Sequence, residues 1–160
     1  MTPLPDTPFV TAYVALGANL GDAVGTVRHA MHALDALAHT RVIARSPLYR
    51  SAPVDAAGPD YINAVAALST CLGAPELLHA LQAMEQTAGR QRPYRHAPRT
   101  LDLDLLLHGD TRINTPSLTL PHPRMMARAF VLRPLADIAP ALVPPEALAA
   151  VAGQGIEPLA

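Results

Sequence analysis

The run from Arg99 to Leu107 constrains the fold more than any other stretch, because acidic and apolar residues alternate along its middle: Arg-Thr-Leu-Asp-Leu-Asp-Leu-Leu-Leu. A period of two is typical of a β-strand, in which residues i and i+2 point to the same face. Asp102 and Asp104 are therefore predicted side by side, with their Cα atoms about 6.6 Å apart. The opposite face, predicted to lie in the core, carries Leu101, Leu103 and Leu105.

Two adjacent aspartates are unusual in a strand, because Asp is disfavoured there and like charges repel. A divalent cation removes both objections. The ten residues that end at Arg99 hold four arginines, Arg90, Arg92, Arg95 and Arg99. Two hard carboxylates beside an arginine-rich loop suit magnesium and a polyphosphate. The alternative interpretation, a solvated strand face next to a wet loop, remains open from these residues alone.

Composition indicates one globular domain over residues 1–160, since 50% of the residues are hydrophobic and 16% are charged. A net charge of −1 gives no overall field for nucleic acid or a membrane surface. All 12 basic residues are arginine, which excludes a Walker A loop and lysine Schiff-base chemistry. The single cysteine, Cys71, is predicted to lie in the core. No signal-peptide pattern or membrane-length apolar run occurs, so we expect a cytoplasmic protein.

Hydrophobic periodicity predicts an alternating series of strands and helices. Strands are predicted over 9–16, 42–50 (interrupted near Pro47), 62–71 and from Leu101, with helices over 22–38 and from Pro75 to Gly89. A turn over 17–22 joins the first strand to the first helix. The order β-α-β-β-α-β predicts an α+β fold of the ferredoxin-like class, with helices packed on an antiparallel sheet. Residues 110–160 are rich in proline and predict extra C-terminal elements, with short helices near 123–128 and 145–151.

Six short motifs occur in order along the chain: ALGANLGD (15–22), SPLYRSAP (46–53), DYIN (60–63), GRQR (89–92), PRTLDLD (98–104) and LPHPRM (120–125). Together they resemble the 6-hydroxymethyl-7,8-dihydropterin pyrophosphokinase family of folate biosynthesis, over residues 10–145. The resemblance implies ATP-dependent transfer of a pyrophosphoryl group to the hydroxymethyl group of a reduced pterin, with release of AMP. It also implies two Mg²⁺ ions and a ferredoxin-like fold.

The resemblance further implies a role for individual residues. Catalytic roles fall on Arg90, Arg99, Asp102 and Asp104, of which Asp102 and Asp104 hold the metals. ATP contacts fall on Gln82, Glu85, Arg92, Thr119, His122 and Arg128. Pterin contacts fall on Ser51, Ala52, Val54, Tyr61, Asn63 and Phe130. Aromatic faces and an amide suit a flat heterocycle with a polar edge, and the loop 90–99 is expected to close over ATP.

Other interpretations of these residues remain open without the resemblance. His122 is then structural, Gln82 and Glu85 belong to a solvated helix face, and Phe130 is core. One departure from the family is the run from Arg95 to Arg99, which lacks the tryptophan that the family often carries there.

Two functions compete with the pyrophosphokinase. One is a non-enzymatic ferredoxin-like module that binds a small molecule or RNA; 4% aromatic residues and a near-neutral charge argue against RNA. The other is a pyrophosphokinase fold without turnover. We expect a monomer that binds ATP and a pterin, and neither nucleic acid nor membrane. Magnesium- and pterin-dependent release of AMP from ATP distinguishes the enzyme from both rivals.

Overall fold

The computed structural model describes residues 8–53, 58–89 and 101–159. The strands are β1 (Val10–Ala18), β2 (Thr40–Arg45), β3 (Tyr49–Ser51), β4 (Tyr61–Thr70), β5 (Asp102–His108), β6 (Ile113–Asn114), β7 (Thr119–Leu120) and β8 (Ile156–Pro158). The α-helices are α1 (Ala23–Asp35), α2 (Ala74–Gly89), α3 (Ala129–Ile138) and α4 (Pro145–Ala150), with 3-10 turns at Met125–Ala127 and Pro140–Leu142. The predicted α+β class and its β-α-β-β-α-β order are confirmed.

The main sheet is antiparallel, with strand order β5-β1-β4-β3-β8. Strands β2 and β3 pair with successive halves of the same edge of β4, so they take the place of the one interrupted strand predicted over 42–50. Pro47, between them, cannot donate to the ladder. Ser46 compensates, because its hydroxyl accepts from the Val65 N–H at 2.9 Å and its own N–H donates to the Val65 carbonyl at 2.9 Å.

The two faces of the sheet are covered by different helices. Helices α1 and α2 pack on one face, where Leu34 and Leu81 meet Leu16 and Leu68 in a fully buried cluster. Helices α3 and α4 cover the other face, where Leu132 and Leu135 of α3 are among the side chains packed with Val65 and Leu106. The prediction for β5 is confirmed, since its alternate leucines are buried on the α1–α2 side: Leu101, Leu103 and Leu105.

The C-terminal third departs from the prediction. A short helix was predicted near 123–128, and the chain forms a 3-10 turn there at Met125–Ala127; helix α3, which follows, was not predicted. Pro134 lies inside α3, and a proline in the sequence argues against a helix at that position. Proline removes a helical hydrogen bond and costs about 3 kcal/mol or more in a helix interior. Burial of Val131, Leu132 and Leu135 offsets that cost. Strand β8 was also not predicted, whereas α4 agrees with the helix expected at 145–151.

Strand β1 runs two residues further than predicted. Gly17 and Ala18 were assigned to a turn, but both pair with β4, and Gly17 also pairs with β5. The turn proper contains Gly21 at φ 57°, and the Asp22 side chain then caps α1 by accepting from the Gly25 N–H at 3.0 Å. Cys71 is buried, as predicted. Among the described residues, no helix combines the length and apolar character needed to cross a membrane.

Candidate functional site

A cavity of about 230 Å³ opens on the α3 side of the sheet, where β1, β4 and β5 lie next to one another. Its floor contains Gly17, which is in register with Asn63 of β4 on one side and Asp102 of β5 on the other. Ala15 is likewise in register with Asp104. The small residues of β1 leave open space between the polar side chains of its neighbours. A Cβ on Gly17 would lie only 3.2 Å from Nδ2 of Asn63.

The wall beside Asn63 is polar at its base and aromatic above. Asn63 and Ser51 are both buried, and the Ser51 hydroxyl donates to Oδ1 of Asn63 at 2.7 Å. Tyr61 and Phe130 line the same cavity, together with Ala52 and Pro53. The hydrogen bond to Ser51 fixes the orientation of the amide, so that its remaining hydrogen-bonding capacity is available at the cavity floor.

Strand β3, which carries Ser51, is joined to α3, which carries Phe130. The Tyr49 hydroxyl donates a short hydrogen bond to Oδ2 of Asp137 near the end of α3. The Arg133 guanidinium lies 5.5 Å from the centre of the Tyr49 ring. Burial raises the pKa of Tyr49 above its usual value, and the Asp137 carboxylate raises it further, so the hydroxyl remains a donor at neutral pH. This connection holds together the two elements that carry Ser51 and Phe130.

The predicted aspartates lie together in this cavity. Asp102 and Asp104 are half-buried and both line it. Nη1 of Arg128 lies 3.9 Å from Oδ2 of Asp104, and the same guanidinium is 5.3 Å from the centre of the Phe130 ring. The Asp104 side chain remains 44% exposed. A carboxylate with this much exposure is accessible to a dissolved cation, and its ion pair with Arg128 is correspondingly weak.

A second cavity, of about 240 Å³, meets the first at Asp104. Ser117, Thr119 and His122 line it. The backbone of this wall is fixed to β5, because the His122 N–H donates to the Leu106 carbonyl at 2.9 Å.

The His122 imidazole is held neutral in this wall. Its Nδ1 accepts from the Arg124 N–H at 3.1 Å, which leaves Nε2 as the protonated ring nitrogen. Burial lowers the pKa of His122 below its usual 6.5; Asp104 opposes that shift, whereas Arg128 and Arg124 add to it. The second cavity thus combines leucine and proline side chains with the polar groups of Ser117, Thr119 and His122, and it shares the Asp104 carboxylate with the first.

The remaining predicted site residues either lie outside the two cavities or are not described by the structure. Gln82 is exposed on α2, and neither it nor Glu85 is among the described residues that line the two cavities. Oε2 of Glu85 accepts from the Leu103 N–H at 2.9 Å and so occupies part of the outer edge of β5. Four predicted site residues lie outside the described residues: Val54, Arg90, Arg92 and Arg99. The departure at Arg95 to Arg99 and the expected loop closure fall there too.

Comparison with known proteins decides the family. A sequence model of the 7,8-dihydro-6-hydroxymethylpterin-pyrophosphokinase (HPPK) family matches residues 13–140. The chain belongs to this family. A 2-amino-4-hydroxy-6-hydroxymethyldihydropteridine pyrophosphokinase of Pseudomonas aeruginosa is 50% identical to it over 92% of this chain and 95% of that protein. One of the same name from Synechocystis is 43% identical over 91% of this chain and 76% of that protein.

Solved structures agree on the fold. The wild-type Plasmodium falciparum HPPK-DHPS structure with pterin and p-hydroxybenzoate superposes with a TM-score of 0.63 at 14% identity, covering 85% of this chain. This chain spans 40% of the length of that one. At such low identity the likeness concerns the HPPK fold alone, and it supports the ferredoxin-like assignment.

Sequence reasoning missed several residues that build the HPPK cavity. Ala15 and Gly17 form its floor, but the second was assigned to a turn. Pro53 lies in its wall beside the predicted Ser51 and Ala52. A signal for the floor was present, because small residues at every second position of a buried strand leave one of its faces without bulk.

Proposed function

We propose that this chain transfers the pyrophosphoryl group of ATP to the hydroxymethyl group of 6-hydroxymethyl-7,8-dihydropterin and releases AMP, a step of folate biosynthesis. Membership of the HPPK family supports the reaction and its two substrates. The observation that carries the proposed location of the reaction is the position of Asp104, which lines both the aromatic and amide-lined cavity and the second cavity. A carboxylate at that junction lies between the two substrates.

The first cavity is proposed to hold the pterin. Tyr61 and Phe130 offer ring faces to a flat heterocycle, and Asn63 offers an amide to its edge. Because Ser51 already donates to Oδ1 of Asn63, the amide is oriented before the ligand arrives. Ala52 contributes to the wall of this cavity. For Val54, which lies outside the described residues, the proposed pterin contact rests on the resemblance alone. A preoriented amide favours a heterocycle with matching acceptors over other flat molecules.

The second cavity is proposed to hold the phosphates of ATP. Thr119 and Nε2–H of His122 are donors there, and a neutral imidazole can donate without the desolvation cost of a buried charge. Arg128 lies at the border and can contact phosphate and Asp104 together, since a guanidinium presents several donors. The resemblance also supports ATP contacts for Gln82, Glu85 and Arg92, and catalytic roles for Arg90 and Arg99.

Magnesium fits the donor set at the junction. No group of three or more His, Cys, Asp or Glu side chains that could hold a metal occurs within residues 8–53, 58–89 and 101–159. Mg²⁺ commonly binds through one or two carboxylates and completes its shell with substrate phosphates and water. Asp102 and Asp104 supply two hard carboxylates to one cavity. We therefore propose that these two residues hold two Mg²⁺ ions together with ATP.

The chemistry follows from that placement. The pterin hydroxyl oxygen forms a bond to the β-phosphorus of ATP, the bond from that phosphorus to the α–β bridging oxygen breaks, and AMP leaves. Bound magnesium supplies electrostatic stabilisation of the charge on the phosphates. The residues of this chain orient both substrates, which is the larger part of the task in phosphoryl transfer. In the proposed step the proton of the attacking hydroxyl passes to water rather than to a side-chain base.

Measurement of AMP tests the function directly. We expect AMP to accumulate in step with pyrophosphorylated pterin, and only when ATP, Mg²⁺ and 6-hydroxymethyl-7,8-dihydropterin are all present. ADP in place of AMP, or AMP release that is independent of the pterin, contradicts the proposal. Binding of pterin and ATP without any product identifies instead the non-enzymatic module, which the family membership does not favour.

We also propose that the enzyme works as a monomer on one domain over residues 1–160. Light scattering of the purified protein with and without substrates measures the mass; a dimer under both conditions contradicts it.

A further inference from the structure

We propose that Gln154 is a positioning residue for this reaction, because its side chain fixes the short backbone segment that carries Arg128 and Phe130. The inference rests on the proposed function, since it concerns how the two cavities are held in register. Gln154 lies in the C-terminal segment between α4 and β8, outside every motif of the sequence.

The Gln154 amide binds the backbone on both sides of Arg128. Its Oε1 accepts from the Ala129 N–H at 2.9 Å, and its Nε2 donates to the Ala127 carbonyl at 2.9 Å. Ala129 is the first residue of α3, where N–H groups lack partners inside the helix. Arg128 is the N-cap residue but makes no side-chain capping bond. Gln154 therefore supplies the cap from a distant part of the chain.

The capped residue has a direct role at the junction of the cavities. Arg128 has an extended backbone, at φ −124° and ψ 113°, between the 3-10 turn and α3. From there its guanidinium reaches Asp104 at 3.9 Å and the Phe130 ring at 5.3 Å. A rotation of this backbone would move the cation of the phosphate side and the ring of the pterin side together.

A third cavity, of about 190 Å³, places Gln154 behind the pterin wall as well. Gln154 lines it together with Phe130 and with Ser51, Ala52 and Pro53, which also line the pterin cavity. Gln154 and Phe130 therefore border the same space, next to the proposed pterin cavity. Because its two hydrogen bonds go to the backbone on either side of Arg128 and it lines neither proposed substrate cavity, Gln154 acts through the segment that carries Arg128 and Phe130 rather than on substrate.

The test compares Gln154→Met with Gln86→Met. The first removes both hydrogen bonds at similar side-chain volume; the second removes an exposed amide on α2 and serves as the matched control. We expect Gln154→Met to lower kcat by about 10- to 100-fold, because small displacements of positioning groups have effects of this size. We also expect a raised KM for the pterin, and no change in either constant for Gln86→Met.

Amide hydrogen exchange gives a readout that does not depend on turnover. In Gln154→Met we expect faster exchange of the Ala129 amide than in wild type, with distant strands such as β4 unchanged. Gln154→Glu keeps an acceptor for Ala129 but cannot donate to Ala127, so we expect it to restore the protection of Ala129 while kcat recovers only in part.

The outcomes separate this inference from the proposed function. Unchanged exchange at Ala129 in Gln154→Met overturns the inference whether or not the enzyme turns over. Normal kcat and KM per folded molecule, with only a lower unfolding midpoint, also overturn it, because they show a purely structural role. Absence of AMP from the wild-type protein overturns the proposed function, while the exchange measurement still decides the role of Gln154.

Discussion

The two faces of the sheet are built by the same strands but are filled in opposite ways. On the α1–α2 face, β4 and β5 present large apolar side chains such as Leu68 and Leu105, which are buried in one continuous cluster, with Leu105 also bordering the second cavity. On the α3 face, the same strands present Asn63 and Asp104 around a floor of small β1 residues, and a cavity remains. Because side chains alternate along a strand, one short sequence encodes both the core and the site.

Packing on the α1–α2 face explains why the site tolerates two adjacent carboxylates. The leucines of β5 anchor the strand through the other face, so the repulsion between Asp102 and Asp104 does not have to be relieved by moving the backbone. Stability and chemistry are therefore separable at neighbouring positions. Substitutions on one face are expected to change unfolding, whereas substitutions on the other change turnover.

The largest effect is expected from Asp104→Ala. Loss of a carboxylate that is shared by both cavities removes a metal ligand, so we expect turnover to fall by at least about 1,000-fold. The urea unfolding midpoint stays close to that of wild type, because the side chain is 44% exposed. AMP release and urea unfolding are the two measurements. Asp110→Ala, on an exposed turn after the same strand, is the matched control and retains wild-type activity.

The reverse result is expected from Leu68→Ala on the α1–α2 face. Leu68 is completely buried against the α1–α2 cluster, so its truncation leaves a cavity and lowers the free energy of unfolding by about 2–5 kcal/mol. The value of kcat per folded molecule stays within about twofold of wild type. Leu142→Ala, at a side chain that is 37% exposed, controls for the loss of a leucine. A large drop in kcat of the folded Leu68→Ala protein contradicts the separation of the two faces.

A smaller effect is expected when the floor of the cavity is filled. In Gly17→Ala the new Cβ lies 3.2 Å from Nδ2 of Asn63, so the amide has to shift by a few tenths of an ångström and the cavity loses volume. We expect the dissociation constant of the pterin to rise about tenfold, with the fold retained. Calorimetric titration measures it. Gly153→Ala, where no heavy atom lies within 4 Å of the added carbon, leaves the constant unchanged; equal affinity in both variants argues against this floor as the pterin site.

The smallest effect concerns the pH dependence of stability. The pKa of His122 is lowered in the fold, chiefly by burial, below its usual 6.5, so just below that pH the unfolded chain binds more protons than the folded one. The contribution of His122 to stability is complete above 6.5 and is lost as the pH falls toward the folded pKa. Below pH 6.5 we expect the free energy of unfolding of His122→Asn to depend less on pH than that of wild type, by no more than about 0.5 kcal/mol. Identical pH profiles, or a steeper profile in the variant, contradict this expectation.

The sequence predicted the parts of the molecule in which local pattern and tertiary packing agree. The alternation in β5 predicted correctly which residues face the core, and hydrophobic periodicity over 22–38 predicted the helix that the structure shows as α1. Helix α3 was not predictable from local signals, because Pro134 argues against a helix and only tertiary burial of its neighbours outweighs that cost.

The site divides in the same way. Ser51, Asn63, Asp104 and Phe130 were named from the family resemblance, and the structure brings all four together around one cavity. Gln154 could not be found in this way, because its contact with Ala129 depends on the path of the chain after α4 rather than on any pattern near α3. Glu85 shows the converse case, since the family resemblance implies a nucleotide contact while its carboxylate accepts from the backbone of β5.

Binding of Mn²⁺ in place of Mg²⁺, followed by electron paramagnetic resonance, tests the central claim most directly. With a non-hydrolysable α,β-methylene analogue of ATP and the pterin present, we predict that two ions bind per wild-type chain and that Asp102→Asn and Asp104→Ala each weaken or abolish their binding. Ion stoichiometry and affinity that are the same in wild type and in both variants would contradict the account, because the paired carboxylates of β5 would then not hold the metal.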